Sequence, residues 1–260
     1  MNSPSPHILA IHSMAVHGTA SMKVLISLLG TQILPVPSLF LTGLTNMPGF
    51  ERTQVDFSTL LMGSFELAEK TDQKLVVLIG YLGNAEQVAE IREALEKYQH
   101  LIEAVVVDPV SGDHGRTYVP SSVISAWPKL LEIADFALPN FTELGLYAGL
   151  QAVQTSPEAF LEAFHQRFPK AKVITTSYPA EAGVGVAMWE EGKPRLFSHR
   201  QVPASYAGSG DVFAAHFVHY HLLKHLPLAE AVTQAATQTL HIIEEAYQQK
   251  LPQLRFRLLD

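Results

Sequence analysis

The sequence predicts an α/β fold built on a doubly wound, mostly parallel β-sheet. Short apolar runs alternate with amphipathic stretches over about the first 170 residues, a pattern typical of repeated strand–helix units. The apolar runs are continuous rather than alternating, as in Leu75–Ile79, which predicts strands buried on both faces. No linker rich in Pro, Gly or Ser and no internal repeat divides the chain. We therefore predict a single domain over residues 1–260.

The elements follow from these runs in chain order. Six strands are predicted at His7–His12, Gln32–Val36, Leu75–Gly80, Ala104–Asp108, Phe136–Leu138 and Lys172–Thr176. The amphipathic stretches predict six helices at Ala20–Leu29, Gln54–Lys70, Ala85–Tyr98, Ser121–Ala134, Phe141–Ala148 and Pro157–Phe168. An antiparallel hairpin at the sheet edge is then predicted from two runs around a turn, Val184–Trp189 and Arg195–Arg200. Two long helices follow, at Gly208–His225 and Leu228–Gln249.

Composition excludes several classes of protein. With 47% hydrophobic and 17% charged residues, the chain has the composition of a folded protein, not a disordered one. The net charge is −7 and no basic run exceeds two residues, so we expect no nucleic-acid groove. The sequence has no cysteine, which excludes disulfides, thiolate catalysis and cysteine-based metal sites.

Targeting and membrane signals are not evident. Residues 1–22 contain no Lys or Arg and no apolar stretch long enough for a signal-peptide core. The segment Val24–Phe50 carries no charged side chain, but Gly30 and three prolines interrupt it, so it does not predict a membrane helix. We expect a cytoplasmic protein with no membrane partner.

The strongest chemical motif lies before the first of the two long helices. In open parallel sheets, ligands bind beyond the carboxyl ends of the strands. We expect the segment Ala207–Ala215 (AGSGDVFAA) to lie at that end of the sheet. Two glycines flank a serine before an apolar helical run, which gathers backbone N–H groups suited to a phosphate. Asp211, in the first helical turn, is either a helix cap or a catalytic base. The motif is not a Walker sequence.

Two further motifs follow predicted strands. Asp108 ends a buried strand and Asp113 follows in a loop shaped by Pro and Gly, so the pair suits Mg²⁺ near a phosphate; an Asx turn is the structural alternative. Asn140 is predicted to cap the helix at Phe141–Ala148, with Glu143 as its capping-box partner. A role for Glu143 in a magnesium–water network is a second interpretation.

In this order, the three motifs resemble the ribokinase-like superfamily of small-molecule kinases, and within it the pyridoxal and pyridoxamine kinases. The resemblance runs from residue 7 to about residue 258. It also includes the first strand with its serine, a Gly-Tyr-Leu-Gly segment, a nucleotide-contacting strand end and a closing strand, at Ile8–Ser13, Gly80–Gln87, Val173–Ser177 and Gln253–Leu258. It implies a three-layer ribokinase-like fold.

The resemblance also implies a role for each motif residue. Asp211 is the expected general base for the 5′-hydroxymethyl group of a vitamin B6 vitamer, and the backbone of Gly208, Ser209 and Gly210 is the expected anion hole for the transferred phosphoryl group. The residues expected around ATP are Asp108, Asp113, Asn140, Thr175, Thr176 and Gly208. Mg²⁺ is expected at Asp113 and Glu143, in part through water. The vitamer pocket is expected to contain Ser13, Thr45 and Tyr81, for which a strand-end turn, a polar loop residue and a core aromatic are the structural alternatives.

Two loops depart from the family pattern. Family members often carry Gly-x-x-Gly-Asn after the first strand, whereas His17–Met22 has no second glycine and no asparagine. In the loop Thr42–Phe50, Leu44 replaces the usual histidine. Both changes fall in the expected vitamer pocket, so the substrate is less defined than the phosphoryl transfer. A lid cysteine, as in a branch similar to hydroxymethylpyrimidine kinases, is excluded.

The leading hypothesis is an ATP- and Mg²⁺-dependent kinase for pyridoxal, pyridoxamine or pyridoxine. The resemblance also implies that the protein is a homodimer. A kinase for a hydroxymethylpyrimidine or another small alcohol is the first alternative. The second alternative is a non-catalytic B6-binding relative. The presence of Asp211 and the glycines beside it argues against this alternative. A flavodoxin-like binder is opposed by the lack of G-x-G-x-x-G after the first strand. The need for a monovalent cation stays open, and the four histidines of Gly208–His225 do not predict a zinc site.

Overall fold

The centre of the molecule is a mostly parallel sheet, seen in a computed structural model that describes residues 5–150, 156–181 and 183–259. The strands are β1 His7–Ala15, β2 Ile33–Leu41, β3 Arg52–Thr53, β4 Leu75–Ile79, β5 Ile102–Val107, β6 Gly112–Asp113, β7 Arg116–Thr117, β8 Phe136–Ala137, β9 Lys172–Ala180, β10 Gly183–Glu190 and β11 Lys193–His199. Among the described residues, nine of them form one sheet in the order β11-β10-β9-β8-β5-β4-β1-β2-β3. The ladders from β2 to β9 are parallel, while β3 and the β10–β11 hairpin pair antiparallel at the two edges.

Helices cover both faces of this sheet. They are α1 Met22–Leu29, α2 Phe57–Lys70, α3 Glu86–Lys97, α4 Ser121–Ala126, α5 Pro128–Leu131, α6 Phe141–Ala148, α7 Pro157–Arg167, α8 Ser209–Phe217 and α9 Leu228–Gln248. Alternate residues of β1 enter different cores: Leu9 and Ile11 pack with α2 to α7, whereas Ile8 and Ala10 pack with α1, α8 and α9. Burial on both faces explains why the strands read as continuous apolar runs. The predicted three-layer, doubly wound fold with an antiparallel edge hairpin is confirmed.

Several boundaries differ from the prediction. β1, β2 and β9 continue past their predicted ends, and β3 was not predicted. The helix predicted at Ser121–Ala134 is divided at Trp127, because Pro128 has no N–H to donate to the preceding turn. The helix predicted at Gly208–His225 is α-helical only to Phe217 and continues as a π-helix over Val218–Leu223. This wider turn brings His221 against the rings of Phe136 and Phe217.

The tail does not form the expected closing strand. Residues 253–258 are irregular, and the backbone N–H of Leu259 donates to the Leu28 carbonyl at 2.8 Å. β3 and β11 form the edges of the sheet, and the tail lies along α1 instead. Within the described ranges, no helix is both long and apolar enough to cross a membrane.

Candidate active site

The carboxyl ends of the parallel strands open into a cavity of about 370 Å³, here called the first cavity. This is the position that the strand order predicts for a ligand site. The predicted site residues that line it are Ser13, Thr45, Tyr81, Asp108, Asp113, Asn140, Glu143, Thr176, Gly208, Ser209, Gly210 and Asp211. Thr175 is the exception, because its side chain is fully buried and lies outside this cavity. A direct contact of Thr175 with a ligand here is therefore not supported.

A second cavity of about 250 Å³ adjoins the first. It lies between the β9–β10 ladder and α9, and its apolar wall includes Val184, Val186, Leu240 and Ile243. Residues that line both cavities are Asp113, His114, Thr176, Ser205, Tyr206, Ser209, Gly210 and Phe213. A ligand group that passes between the cavities therefore passes over the first turn of α8.

The start of α8 requires glycine at position 208. Gly208 is the N-cap residue with φ 88°, and a Cβ there would lie 2.8 Å from the carbonyl oxygen of Thr19. Both the left-handed backbone and the close approach of the Thr19 loop exclude a larger residue. The first-turn N–H groups of a helix have no partner within the helix, so they can bind an anion at the junction of the two cavities; that of Ser209 donates to the Tyr206 carbonyl at 3.4 Å, a long hydrogen bond that an anion would replace.

Asp211 points across the site rather than back onto its own helix. One carboxylate oxygen, Oδ1, lies 3.0 Å from Nε2 of His12, and the other, Oδ2, accepts a 2.6 Å hydrogen bond from the backbone N–H of Ser21. Asp211 is 9% exposed. Since Gly208 occupies the N-cap position, the alternative that Asp211 serves only as the cap of α8 loses its structural basis.

The predicted capping box at α6 is confirmed, and it also shapes the loop that carries Asp108 and Asp113. The Asn140 side chain accepts from the Glu143 N–H and donates to the Gly112 carbonyl at 2.7 Å. Glu143 accepts backbone N–H bonds from Asn140 at 3.0 Å, Ser111 at 2.8 Å and Gly112 at 3.3 Å. One buried carboxylate therefore ties α6 to the loop that follows β5.

Burial changes the acidity of the carboxyl groups on the cavity floor. It raises the pKa of Glu143 to about 8, although the three backbone N–H bonds oppose this shift. It also raises the pKa of Asp108 well above its usual range; repulsion by Glu143 and Asp211 adds to this effect and His12 opposes it. Adjacent carboxyl groups of raised pKa favour a bound cation, which would relieve their repulsion.

The opposite wall of the first cavity is held by polar contacts. Ser13 is fully buried, and its hydroxyl donates to the Ser21 hydroxyl at 3.0 Å. Ser38 donates to the Tyr81 carbonyl at 2.6 Å, and Gln87 bridges the Ser38 carbonyl and the Gly83 N–H. The buried hydroxyl of Tyr81 has no hydrogen-bond partner among the described residues. A polar group of a ligand would satisfy it.

The two loops that depart from the family pattern meet in this wall. Counted from Gly18, the second glycine of Gly-x-x-Gly-Asn falls at Ser21, which adopts φ 60° and ψ −136°, a conformation that favours glycine. Leu44, which replaces the histidine, is buried and packs on Gly18, where a Cβ would lie 2.4 Å from Leu44 Cγ.

Sequence reasoning assigned no role to several residues that the fold brings to the site. They are His12, Ser21, His114, Tyr118, Ser205, Tyr206 and Phe213. Two signals were available: His12 stands at a strand end beside Ser13, and Ser205 and Tyr206 directly precede the glycine motif. The partnership of His12 with Asp211 had no such signal, because 198 intervening residues separate the two in sequence.

Comparison with known proteins places these features in a family context. The model of the phosphomethylpyrimidine kinase family matches residues 70–253. The pyridoxal kinase of Arabidopsis thaliana is 30% identical over 230 residues, which cover 82% of this chain and 73% of that protein.

Two solved structures are similar over almost the whole chain. The pyridoxal kinase of Lactobacillus plantarum is 27% identical with a TM-score of 0.81, and the alignment covers 99% of this chain and 94% of that one. The pyridoxal kinase of Leishmania donovani in complex with ADP and pyridoxamine is 26% identical with a TM-score of 0.73, over 94% and 88% of the two chains.

Proposed function

Because the chain belongs to the pyridoxal kinase family of alcohol phosphotransferases, we propose that it transfers the γ-phosphoryl group of ATP to the 5′-hydroxymethyl group of a vitamin B6 vitamer. The observation that carries the proposal is the junction of two cavities over the first turn of α8, beside Asp211. One cavity takes the vitamer and the other takes the nucleotide, so the reacting groups meet at the anion-binding end of a helix.

The first cavity suits the pyridine ring of a vitamer. Ser13 and the unpartnered hydroxyl of Tyr81 offer hydrogen bonds to ring substituents, while Leu44 and Val110 supply apolar contacts. Asp211 lies in the same cavity, within reach of a hydroxymethyl group on the ring. The complex of the Leishmania donovani relative with pyridoxamine supports this choice of ligand.

The second cavity suits the nucleotide. Its apolar wall from β10 and α9 would hold the base, and Thr176, Ser209 and Gly210 line the end nearest to α8, where the phosphates would lie. In that relative ADP is bound, which supports ATP as the phosphoryl donor here. Thr176 takes the phosphate-contacting role; Thr175 supports β9 from within the core.

The transfer is a single displacement. The 5′-hydroxyl oxygen forms a bond to the γ-phosphorus, and the bond from that phosphorus to the bridging oxygen breaks, so that ADP leaves with the electron pair. The hydroxyl proton passes to the Asp211 carboxylate, which acts as general base. The backbone N–H groups of the turn at Gly208, Ser209 and Gly210 stabilise the charge on the phosphoryl oxygens.

The carboxyl groups beside α6 fit Mg²⁺, which prefers one or two carboxylates together with phosphate oxygens and water. Asp113 and Glu143 would hold it, in part through water, and Asp108 lines the same cavity. The raised pKa values of Glu143 and Asp108 support a cation at this place. When bound, Mg²⁺ neutralises phosphate charge.

The test is an ATP-consumption assay with pyridoxal, pyridoxamine, pyridoxine and hydroxymethylpyrimidine, each at several concentrations with Mg²⁺. We expect the B6 vitamers to have the highest kcat/KM. A higher kcat/KM for hydroxymethylpyrimidine would identify it, rather than a B6 vitamer, as the substrate. The match to the phosphomethylpyrimidine kinase family and the Leu44 substitution are the reasons for including it. The absence of turnover with every alcohol would refute the proposed function.

A further inference from the structure

We propose that His12 is a positioning residue for Asp211, which it holds in the orientation needed to accept the substrate proton. The inference rests on the proposed function, because it assigns a partner to the proposed base. His12 lies at the end of β1 and Asp211 in the first turn of α8, and the two side chains meet at the floor of the first cavity. The His12 Nε2 to Asp211 Oδ1 distance is 3.0 Å.

The contacts of the His12 ring define its tautomer. Its Nδ1 accepts a 3.0 Å hydrogen bond from the backbone N–H of Ser13, so Nδ1 carries no hydrogen in the neutral ring. The ring hydrogen is then on Nε2, which lies 3.0 Å from Asp211 Oδ1 without forming an aligned hydrogen bond. A neutral His12 therefore places a polar N–H beside the carboxylate, and a small rotation of either side chain would align the two.

The carboxylate is held at both oxygens. His12 from β1 faces Oδ1, and the Ser21 N–H at the start of α1 donates to Oδ2. These two contacts come from different elements, so together they define the plane of the carboxylate. Each oxygen keeps a second lone pair, and one of these is available to the substrate hydroxyl.

Gly80 provides the space for the His12 ring. A Cβ at Gly80 would lie 2.2 Å from His12 Cδ2 and 2.3 Å from Nε2, closer than carbon atoms approach without a shift. The ring is only 4% exposed. A buried polar ring costs free energy unless its polar atoms are satisfied; Nε2 makes no aligned hydrogen bond among the described residues, and Asp211 Oδ1 at 3.0 Å is the polar atom beside it.

The first experiment compares two substitutions of His12. His12→Leu replaces the polar ring with an apolar side chain of similar size. We expect kcat to fall about 10- to 100-fold, which is the effect of a small misplacement of a catalytic group. KM for ATP and for the vitamer should change less than about threefold, because His12 is assigned no binding role. His12→Gln can place its amide nitrogen where Nε2 lies, so it should keep kcat within about threefold of the parent.

The matched control is His216→Leu. His216 is also a buried histidine and lies on α8, but its Nδ1 bonds the Val212 carbonyl and it lines neither cavity. Its loss should lower stability without lowering kcat, which separates the cost of removing any buried histidine from the effect on Asp211.

A second route moves the ring without changing it, in case His12→Leu fails to fold. Gly80→Ala adds a methyl group in the space of the ring, and we expect a fall in kcat similar to that of His12→Leu. Gly63→Ala, on α2 with open space around its Cβ, is the control and should leave kcat unchanged.

The two hypotheses fail in different ways. In an Asp211→Asn background, His12→Leu should lower kcat by less than about a further twofold, because the carboxylate that His12 positions is no longer present. An enzyme that turns over vitamers at the parental rate with His12→Leu would overturn this inference and leave the proposed function intact. A parent enzyme without turnover would instead overturn the proposed function.

Discussion

At the scale of the residue, two carboxylates have different surroundings and different expected tasks. Asp211, in the first turn of α8, contacts the His12 ring nitrogen and the Ser21 backbone N–H, and it lines the first cavity. Glu143 is 2% exposed and accepts three backbone N–H bonds. The first therefore suits proton transfer, and the second suits the organisation of a loop and of a cation beside it.

Asp211→Asn should lower kcat by about 10²- to 10⁴-fold, the usual contribution of a positioned general base. The amide nitrogen of Asn would face one of two donors, the His12 ring or the Ser21 N–H, so we also expect a loss of stability of about 1–3 kcal/mol. Steady-state kinetics and urea unfolding measure the two effects. Glu158→Gln, an exposed position on α7, is the control for the loss of a carboxylate. A near-parental kcat in Asp211→Asn would contradict the assignment.

The pKa of Glu143 predicts how stability changes with pH. Its folded value of about 8 is above its ordinary value of 4.5, so between these pH values the folded state binds more protons than the unfolded state. The stability of the free protein should therefore fall as pH rises from about 5 to 8. Asp108, whose pKa is raised in the same direction, adds to the trend.

Mg²⁺ should reverse part of that loss. It binds the ionised carboxylates, so it should stabilise the protein more at pH 8 than at pH 6. Urea unfolding at both pH values, with and without Mg²⁺, measures the difference, and NaCl at matched ionic strength controls for screening. An equal effect of Mg²⁺ and NaCl at pH 8 would argue against a cation at these carboxyl groups.

At the scale of the element, the start of α1 carries a local strain. Ser21 is the N-cap residue with φ 60°, and this position faces both Asp211 and Ser13. Non-glycine residues in such conformations cost free energy and cluster at functional sites. The strain keeps the Ser21 N–H directed at Asp211, which links the first turn of one helix to that of another.

Ser21→Gly and Ser21→Ala should separate strain from hydrogen bonding. Both remove the hydroxyl that accepts from Ser13, but only glycine tolerates φ 60° without a Cβ penalty. We expect Ser21→Gly to be more stable than Ser21→Ala by about 1–2 kcal/mol, because φ 60° penalises a Cβ and because an N-cap position also favours Gly over Ala. Thermal and urea unfolding of both variants provide the measurement. A more stable Ala variant would show that position 21 is not strained.

At the scale of the whole molecule, one edge of the sheet carries exposed apolar side chains. They are Phe40 on β2, 40% exposed, and Leu60 and Leu67 on α2, 42% and 62% exposed. α2 packs on β2, and Leu60 and Leu67 lie on its exposed face. Phe40 lies between Leu39 and Leu41, which pack with α2, so its side chain points to the other face of the sheet. Apolar surface of this kind is typical of a contact with another protein.

We expect this edge to contribute to a homodimer. Light scattering at micromolar concentration should give twice the mass of one chain, and Leu60→Glu with Leu67→Glu should give the mass of one chain, because buried charges oppose association. Leu196→Glu, at an exposed apolar position on β11 at the other edge, should leave the mass unchanged. A parent with the mass of one chain would refute the dimer.

The fold class and the place of the candidate site could be predicted from local patterns in the sequence, whereas Ser13, Thr45, Tyr81 and Thr176 came from the family resemblance. Continuous apolar runs mark strands buried on two faces, and residues just after parallel strands must gather at one edge of the sheet. That reasoning was sufficient for Asp108, Asn140 and the glycines around Ser209, and the capping box at Glu143 is itself a local motif. The single domain and the homodimer remain predictions.

Only the tertiary structure decided which side chains are partners. The contact of His12 with Asp211, the strained turn at Ser21 and the burial of Thr175 all depend on how β1, α1, α8 and β9 pack against one another. The irregular tail and the π-helix after Phe217 likewise result from packing rather than local propensity. Local sequence determines which residues can form a strand end or a helix start. Contacts between residues far apart in sequence depend on distances and orientations that arise only when the elements pack together.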